Sequence, residues 1–125
     1  MMDIAFRKAD RLKEHPDASS LGFGTIFTDY MFNMDYNPEK GWHNPRIEPY
    51  GPIEMDPSTM VLHYGQSIFE GLKAYKTADG AIRLFRPKDN IARLNRSGHR
   101  LCMPELDEGF ILKALIELLK IEKGW

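Results

Sequence analysis

The sequence predicts an α+β fold, a largely antiparallel sheet with helices packed on it, and three features carry that expectation. β-branched and aromatic residues crowd the run from Gly24 to Asp35, an Asp79-Gly80 pair joins two alternating segments, and two helical apolar patterns close the 125 residues. In the first run Ile26, Thr28, Tyr30, Phe32 and Met34 fall on one side of a strand, and Thr25, Phe27, Asp29, Met31 and Asn33 on the other. Two partly apolar faces imply a strand covered on both sides. From Asn37 to Pro57 the prolines and glycines are too frequent for a long helix or a central strand, so an ordered loop or a pair of short edge strands is expected. Met60 to Tyr64 reads as a short strand, and Gly65 and Gly71 bracket a change of direction. Leu72–Lys76 and Ala81–Phe85 form a hairpin across Thr77-Ala78-Asp79-Gly80. Pro87 suits the first turn of a helix running to about Cys102, before Pro104. Asp107 can cap a second helix whose stripe is Ile111, Leu112, Leu115, Leu118 and Leu119, with Gly124 as its stop.

Residues 1–20 form a polar leader, loosely held and ending at the turn-prone Pro16-Asp17-Ala18-Ser19-Ser20, and residues 21–125 form the domain. The leader mixes acidic with basic residues, unlike a secretion signal or an acid-free transit peptide. Hydrophobic residues at 42% supply a core, and no apolar run approaches a membrane span. The 17 basic and 18 acidic residues nearly cancel, so no overall positive field draws nucleic acid or an anionic membrane. The single cysteine, Cys102, rules out an internal disulfide framework and fits a reducing, cytoplasmic setting.

The helix after Pro87 carries the most chemistry. Ile91, Leu94, Gly98 and Leu101 share one face, while Arg93, Arg96 and Arg100 make a separate stripe that is either a solvated surface or an anion grip. His63-Tyr64 and Phe69, set among Gly65 and Gly71, can line a small apolar site or simply pack and turn. His15, His43, His63 and His99 are too scattered for a metal set, and none is assigned. Ser67 lacks the second glycine of a nucleophile elbow, which argues against a hydrolase. Lys73 has no pattern that would bury it and reads as an exposed strand lysine, not a Schiff-base former.

Phe23-Gly24-Thr25-Ile26-Phe27-Thr28-Asp29-Tyr30-Met31, Leu62 through Tyr75, Arg83-Leu84-Phe85-Arg86-Pro87, Asn90-Ile91-Ala92-Arg93-Leu94, Arg96-Ser97 and Arg100-Leu101-Cys102-Met103-Pro104 occur in order. Together they resemble the branched-chain amino acid aminotransferases, from Leu21 to Trp125. The resemblance implies the small amino-terminal domain of a fold type IV enzyme that uses pyridoxal 5'-phosphate, usually as a homodimer. The reaction it implies moves the amino group of leucine, isoleucine or valine to 2-oxoglutarate, giving glutamate and a branched 2-oxo acid. Arg93 matches the arginine that binds the cofactor phosphate; Tyr64 and Phe69 match residues lining the substrate side-chain pocket, Tyr64 from the neighbouring subunit; Gly71 and Phe23 match positions beside that site. The Schiff-base lysine of the family is expected beyond Trp125, so no catalytic residue is assigned here and this polypeptide alone is expected to be an inactive fragment. D-amino acid aminotransferases and aminodeoxychorismate lyases share the fold and are the alternatives within it. A non-catalytic phosphate-binding module is the alternative outside it.

Overall fold

The computed structural model describes residues 2–125. They gather into two compact units, one drawn from the chain through Gly51 together with Ala114–Trp125, the other from Pro52–Lys113. The class is α+β as expected, but the strands divide between two sheets.

In the first unit β1 (Ala5–Phe6), β2 (Tyr30–Asn37) and β3 (Gly41–Pro49) form a mixed sheet in the order β1-β3-β2. β2 and β3 are antiparallel, with Phe32 opposite Ile47, while β1 runs parallel to β3 and sets Phe6 beside Ile47. The Asn37 side chain accepts the Lys40 amide at 2.8 Å, and Gly41 takes a left-handed φ of 66°, which together reverse the chain between β2 and β3. Ile47 is buried at the centre of this sheet, 2% exposed.

Three expectations give way here. The proline-rich segment holds the central strand: Pro45 lies where the register slips opposite Asn33 and Asp35, next to a left-handed Asn44, so its missing amide proton costs no ladder bond. The strand expected from Gly24 begins only at Tyr30. Gly22 and Gly24 turn left-handed, and the Lys13 ammonium takes the carbonyls of Phe27 and Thr28 at 3.0 and 2.8 Å, so those acceptors serve a side chain instead of a sheet. The polar leader is not loosely held. β1 belongs to the sheet, Arg7 N donates to the Ile47 carbonyl at 2.9 Å, and the Ala9 amide donates to the Tyr30 hydroxyl at 3.1 Å.

Buried Asp29 ties distant parts of this unit together. One carboxylate oxygen accepts the Lys13 amide at 2.7 Å and the other accepts the Trp125 indole N–H at 2.9 Å, the first of these doing most to hold its pKa below the ordinary value. Buried Glu122 accepts the Tyr30 amide at 2.5 Å.

The second unit contains α1 (Met60–Tyr64), β4 (Ala74–Lys76), β5 (Ile82–Leu84), α2 (Pro87–Arg100) and the start of α3 (Glu108–Ile121). Met60–Tyr64 is a helix and not the expected strand. Asp56 accepts the Ser58 amide on its side chain at 2.7 Å and the Thr59 amide on its carbonyl at 3.0 Å, winding the chain into the turn that α1 continues until Gly65 stops it left-handed. The expected hairpin forms: β4 and β5 pair antiparallel, and Gly80 at φ 81° closes the turn onto the Thr77 carbonyl. Pro87 opens α2, and the Asp107 carboxylate caps α3 by accepting the Phe110 amide at 2.7 Å. Ile91 and Gly98 are buried on α2 while Leu101 is exposed, so the apolar face stops one turn early. A side chain at Gly98 would bring its Cβ within 3.4 Å of Ile68 Cδ1.

Two substitutions test this account of the first unit. Ile47→Ala should lower stability by about 2–5 kcal/mol through lost burial and a residual cavity. Asp29→Ala should cost about 1–3 kcal/mol, because it leaves the Lys13 amide and the Trp125 indole without their acceptor. Thermal or urea unfolding followed by Trp fluorescence measures both, and an Asp29→Ala protein as stable as the parent would refute the tie.

Candidate functional site

Helical spacing sets the site. Asn90 and Arg93 are three residues apart on α2 and therefore project from neighbouring positions of one face. Both reach Glu70, whose side chain is only 11% exposed. Arg93 Nε donates to Glu70 Oε2 at 2.7 Å and its Nη2 donates to Oε1, a paired guanidinium–carboxylate contact. Asn90 Nδ2 donates to Glu70 Oε1 at 3.1 Å and to the Gly71 carbonyl at 3.0 Å, and the Gly71 amide donates to Oε1 at 3.0 Å. The Arg93 guanidinium is the largest cause that brings the Glu70 pKa down to about 2 from 4.5.

The rest of Arg93 faces outward. Its side chain is 59% exposed, and Nη1 has no hydrogen-bond partner among the described residues. A cation with one edge fixed and another open can accept an anion without first having to be ordered.

The arginine stripe splits. Arg93 turns to Glu70, whereas Arg96 and Arg100 line a separate groove of about 670 Å³ with His99, Met103, Glu105 and Glu108. Asn95 shapes the chain beside it: the Leu106 amide donates to Asn95 Oδ1 at 2.9 Å, and Asn95 Nδ2 donates to the Leu106 carbonyl at 2.9 Å.

Of the residues singled out from the sequence, the structure draws Arg93 and Gly71 together, through Glu70 and Asn90. Tyr64 and Phe69 are 79% and 91% exposed, with no ring contact between them. Phe23, in the other unit, is 99% exposed. Tyr64 and Phe69 therefore enclose no apolar pocket between themselves. Lys73 is exposed immediately before β4. No cluster of three or more His, Cys, Asp or Glu side chains placed to hold a metal occurs among the described residues, and none of their helices is long and apolar enough to cross a membrane. Sequence reasoning missed Glu70 and Asn90. The signal was present as an acid between Phe69 and Gly71, but its partner lies 23 residues away on another element.

Along about nine-tenths of its length the chain is similar to aminotransferases. More particularly, its homologues are branched-chain-amino-acid aminotransferases. It is 62% identical over 113 residues to branched-chain-amino-acid transaminase 1 of Bacillus subtilis (strain 168), covering 90% of this chain and 32% of that protein. It is 55% identical over 116 residues to a probable branched-chain-amino-acid aminotransferase of Staphylococcus aureus (strain MRSA252), covering 93% and 32%. With the branched-chain-amino-acid aminotransferase of Mycolicibacterium smegmatis (strain ATCC 700084 / mc(2)155) it shares 53% over 104 residues, covering 83% and 28%. The chain thus spans about a third of the length of these curated relatives. No protein-family model matches it.

The charge pair makes a pH-dependent prediction. A carboxylate whose pKa is lowered on folding adds stability that is fully present above 4.5 and is lost as pH falls through about 2. The Glu70 carboxyl should therefore titrate near 2 by carbon-13 NMR and move up toward 4.5 in Arg93→Ala. A midpoint already near 4.5 in the parent would contradict the paired geometry.

Proposed function

We propose that this chain supplies the cofactor-phosphate grip and part of the substrate-pocket wall of a branched-chain amino acid transaminase that uses pyridoxal 5'-phosphate. The observation that carries this reading is the 62% identity over 113 residues to a transaminase, a span that includes the motifs around Tyr64, Phe69, Gly71 and Arg93.

The local chemistry is compatible with that cofactor. Arg93 keeps its charge at any physiological pH, and its open Nη1 edge can donate to a phosphate oxygen while Glu70 holds the opposite edge. One guanidinium contact does not retain such a ligand alone, so further donors come from sequence outside these residues, as does the Schiff-base lysine. Pyridoxal phosphate, when bound, supplies the electron sink for moving an amino group. The part played by this chain is to bind and orient.

On the substrate side, Tyr64, Phe69 and Phe23 present apolar surface, and Gly71 lets a ligand approach the main chain. Covering those rings in a full-length homodimer removes apolar area from water at about 25 cal/mol per Å². Aromatic walls accept leucine, isoleucine and valine alike, since one methylene discriminates by only about 1–3 kcal/mol. The acceptor is 2-oxoglutarate, the products are glutamate and a branched 2-oxo acid, and the setting is cytoplasmic.

A full-length enzyme is made by exchanging this chain for the matching third of the Bacillus subtilis relative, and its amino-donor preference is the test. Leucine, isoleucine and valine should be used and D-alanine should not. Preference for D-alanine would move the assignment to the D-amino acid aminotransferases. In that enzyme Arg93→Ala should weaken pyridoxal phosphate retention by roughly tenfold or more, read by cofactor absorbance after dialysis, since a charge-assisted contact is lost. Conversely, tight saturable binding of pyridoxal phosphate by the 125 residues alone, abolished by Arg93→Ala, would support a stand-alone phosphate-binding module.

A further inference from the structure

Glu70 sits where two parts of the proposed site meet. Its two carboxylate oxygens accept from Arg93 Nε and Nη2, from Asn90 Nδ2 and from the Gly71 amide, while Asn90 also reaches the Gly71 carbonyl. The side chain is 11% exposed, and every donor around it has a named partner geometry. Arg93, by contrast, is mostly exposed and would sample many rotamers if Glu70 did not hold one edge.

We infer that Glu70 is a positioning residue that sets the phosphate-gripping edge of Arg93 and the Gly71 turn with one carboxylate, so that cofactor retention and the fit of the amino acid are adjusted together. The inference rests on the reading of Arg93 as the phosphate grip. Its physical core is a trade between charge repulsion and the cost of ordering a side chain. A carboxylate beside a bound phosphate repels it, but an arginine without a fixed edge must be ordered by the ligand itself, at the ligand's expense in affinity. The paired geometry favours the second effect. Nε and Nη2 are already committed to Glu70, and Nη1 is left directed away from that carboxylate. Asn90 then links the grip to the Gly71 carbonyl, while Glu70 itself accepts the Gly71 amide.

The test uses the full-length chimeric transaminase and two readouts, the pyridoxal phosphate dissociation constant by absorbance titration and the KM for leucine. Glu70→Gln keeps the size and one acceptor oxygen but loses the paired ion contact. It should raise the cofactor dissociation constant roughly tenfold and raise the KM for leucine as well, as removal of a ligand-orienting partner does. Glu70→Asp, which keeps the charge, should recover part of the cofactor affinity. Asn90→Ala leaves the Arg93 pair intact and frees the Gly71 carbonyl, so it should shift KM with little change in cofactor affinity. A merely structural role would not separate those two readouts, and circular dichroism checks that each variant is folded. Should Glu70→Gln misfold, Asn90→Ala and Glu70→Asp still decide the question. Cofactor affinity unchanged or tighter in Glu70→Gln, while Arg93→Ala loses the cofactor, overturns the positioning role alone. Full retention in Arg93→Ala overturns the phosphate reading and this inference with it.

Discussion

The Glu70 carboxylate is the constraint around which the second unit organises its chemistry. It accepts four hydrogen bonds, from the Gly71 amide, Asn90 and both donating nitrogens of Arg93. Three of its four donors are side-chain groups on α2, and the fourth is the main chain of the residue that follows it. The outcome is a helix face and a turn held in mutual register by ionic and amide contacts where apolar packing is sparse. The lowered pKa of Glu70 follows from the same geometry, because every one of these donors favours the charged form.

How much of this was legible from the sequence depends on how local each cause is. The hairpin at Asp79-Gly80, the helix start at Pro87 and the Asp107 cap have their causes within a few residues, and the structure contains all three. The late start of β2 does not: Tyr30 and Asp29 are bound by Glu122 and Trp125, 92 and 96 residues away, and by Lys13. Met60–Tyr64 is a helix where a short strand is expected, because the Asp56 turn that winds it lies just upstream. The central place of β3 depends on a bulge that absorbs Pro45, which composition alone does not reveal. At the site, charge pattern on α2 found Arg93, but only the folded chain shows that its partner is Glu70 and that Arg96 and Arg100 serve a different groove.

This division of the arginine stripe bears on how a chain a third as long as its relatives relates to their activity. The helix arranges one guanidinium by pairing it with Glu70, and Tyr64 and Phe69 of the same unit are open to solvent. The second unit thus combines one ordered cation with uncovered aromatic rings.

The central strand of the first sheet has a further consequence. β1 pairs with Arg46 and Ile47 of β3, and Asn44 and Pro45 lie next along that margin. There Pro45 has no amide proton to offer and Asn44 turns left-handed at φ 53°, so the margin is a broken template. The residues that looked like obstacles to a strand thus act as a guard against edge-to-edge association, denying another polypeptide a continuous ladder on which to grow.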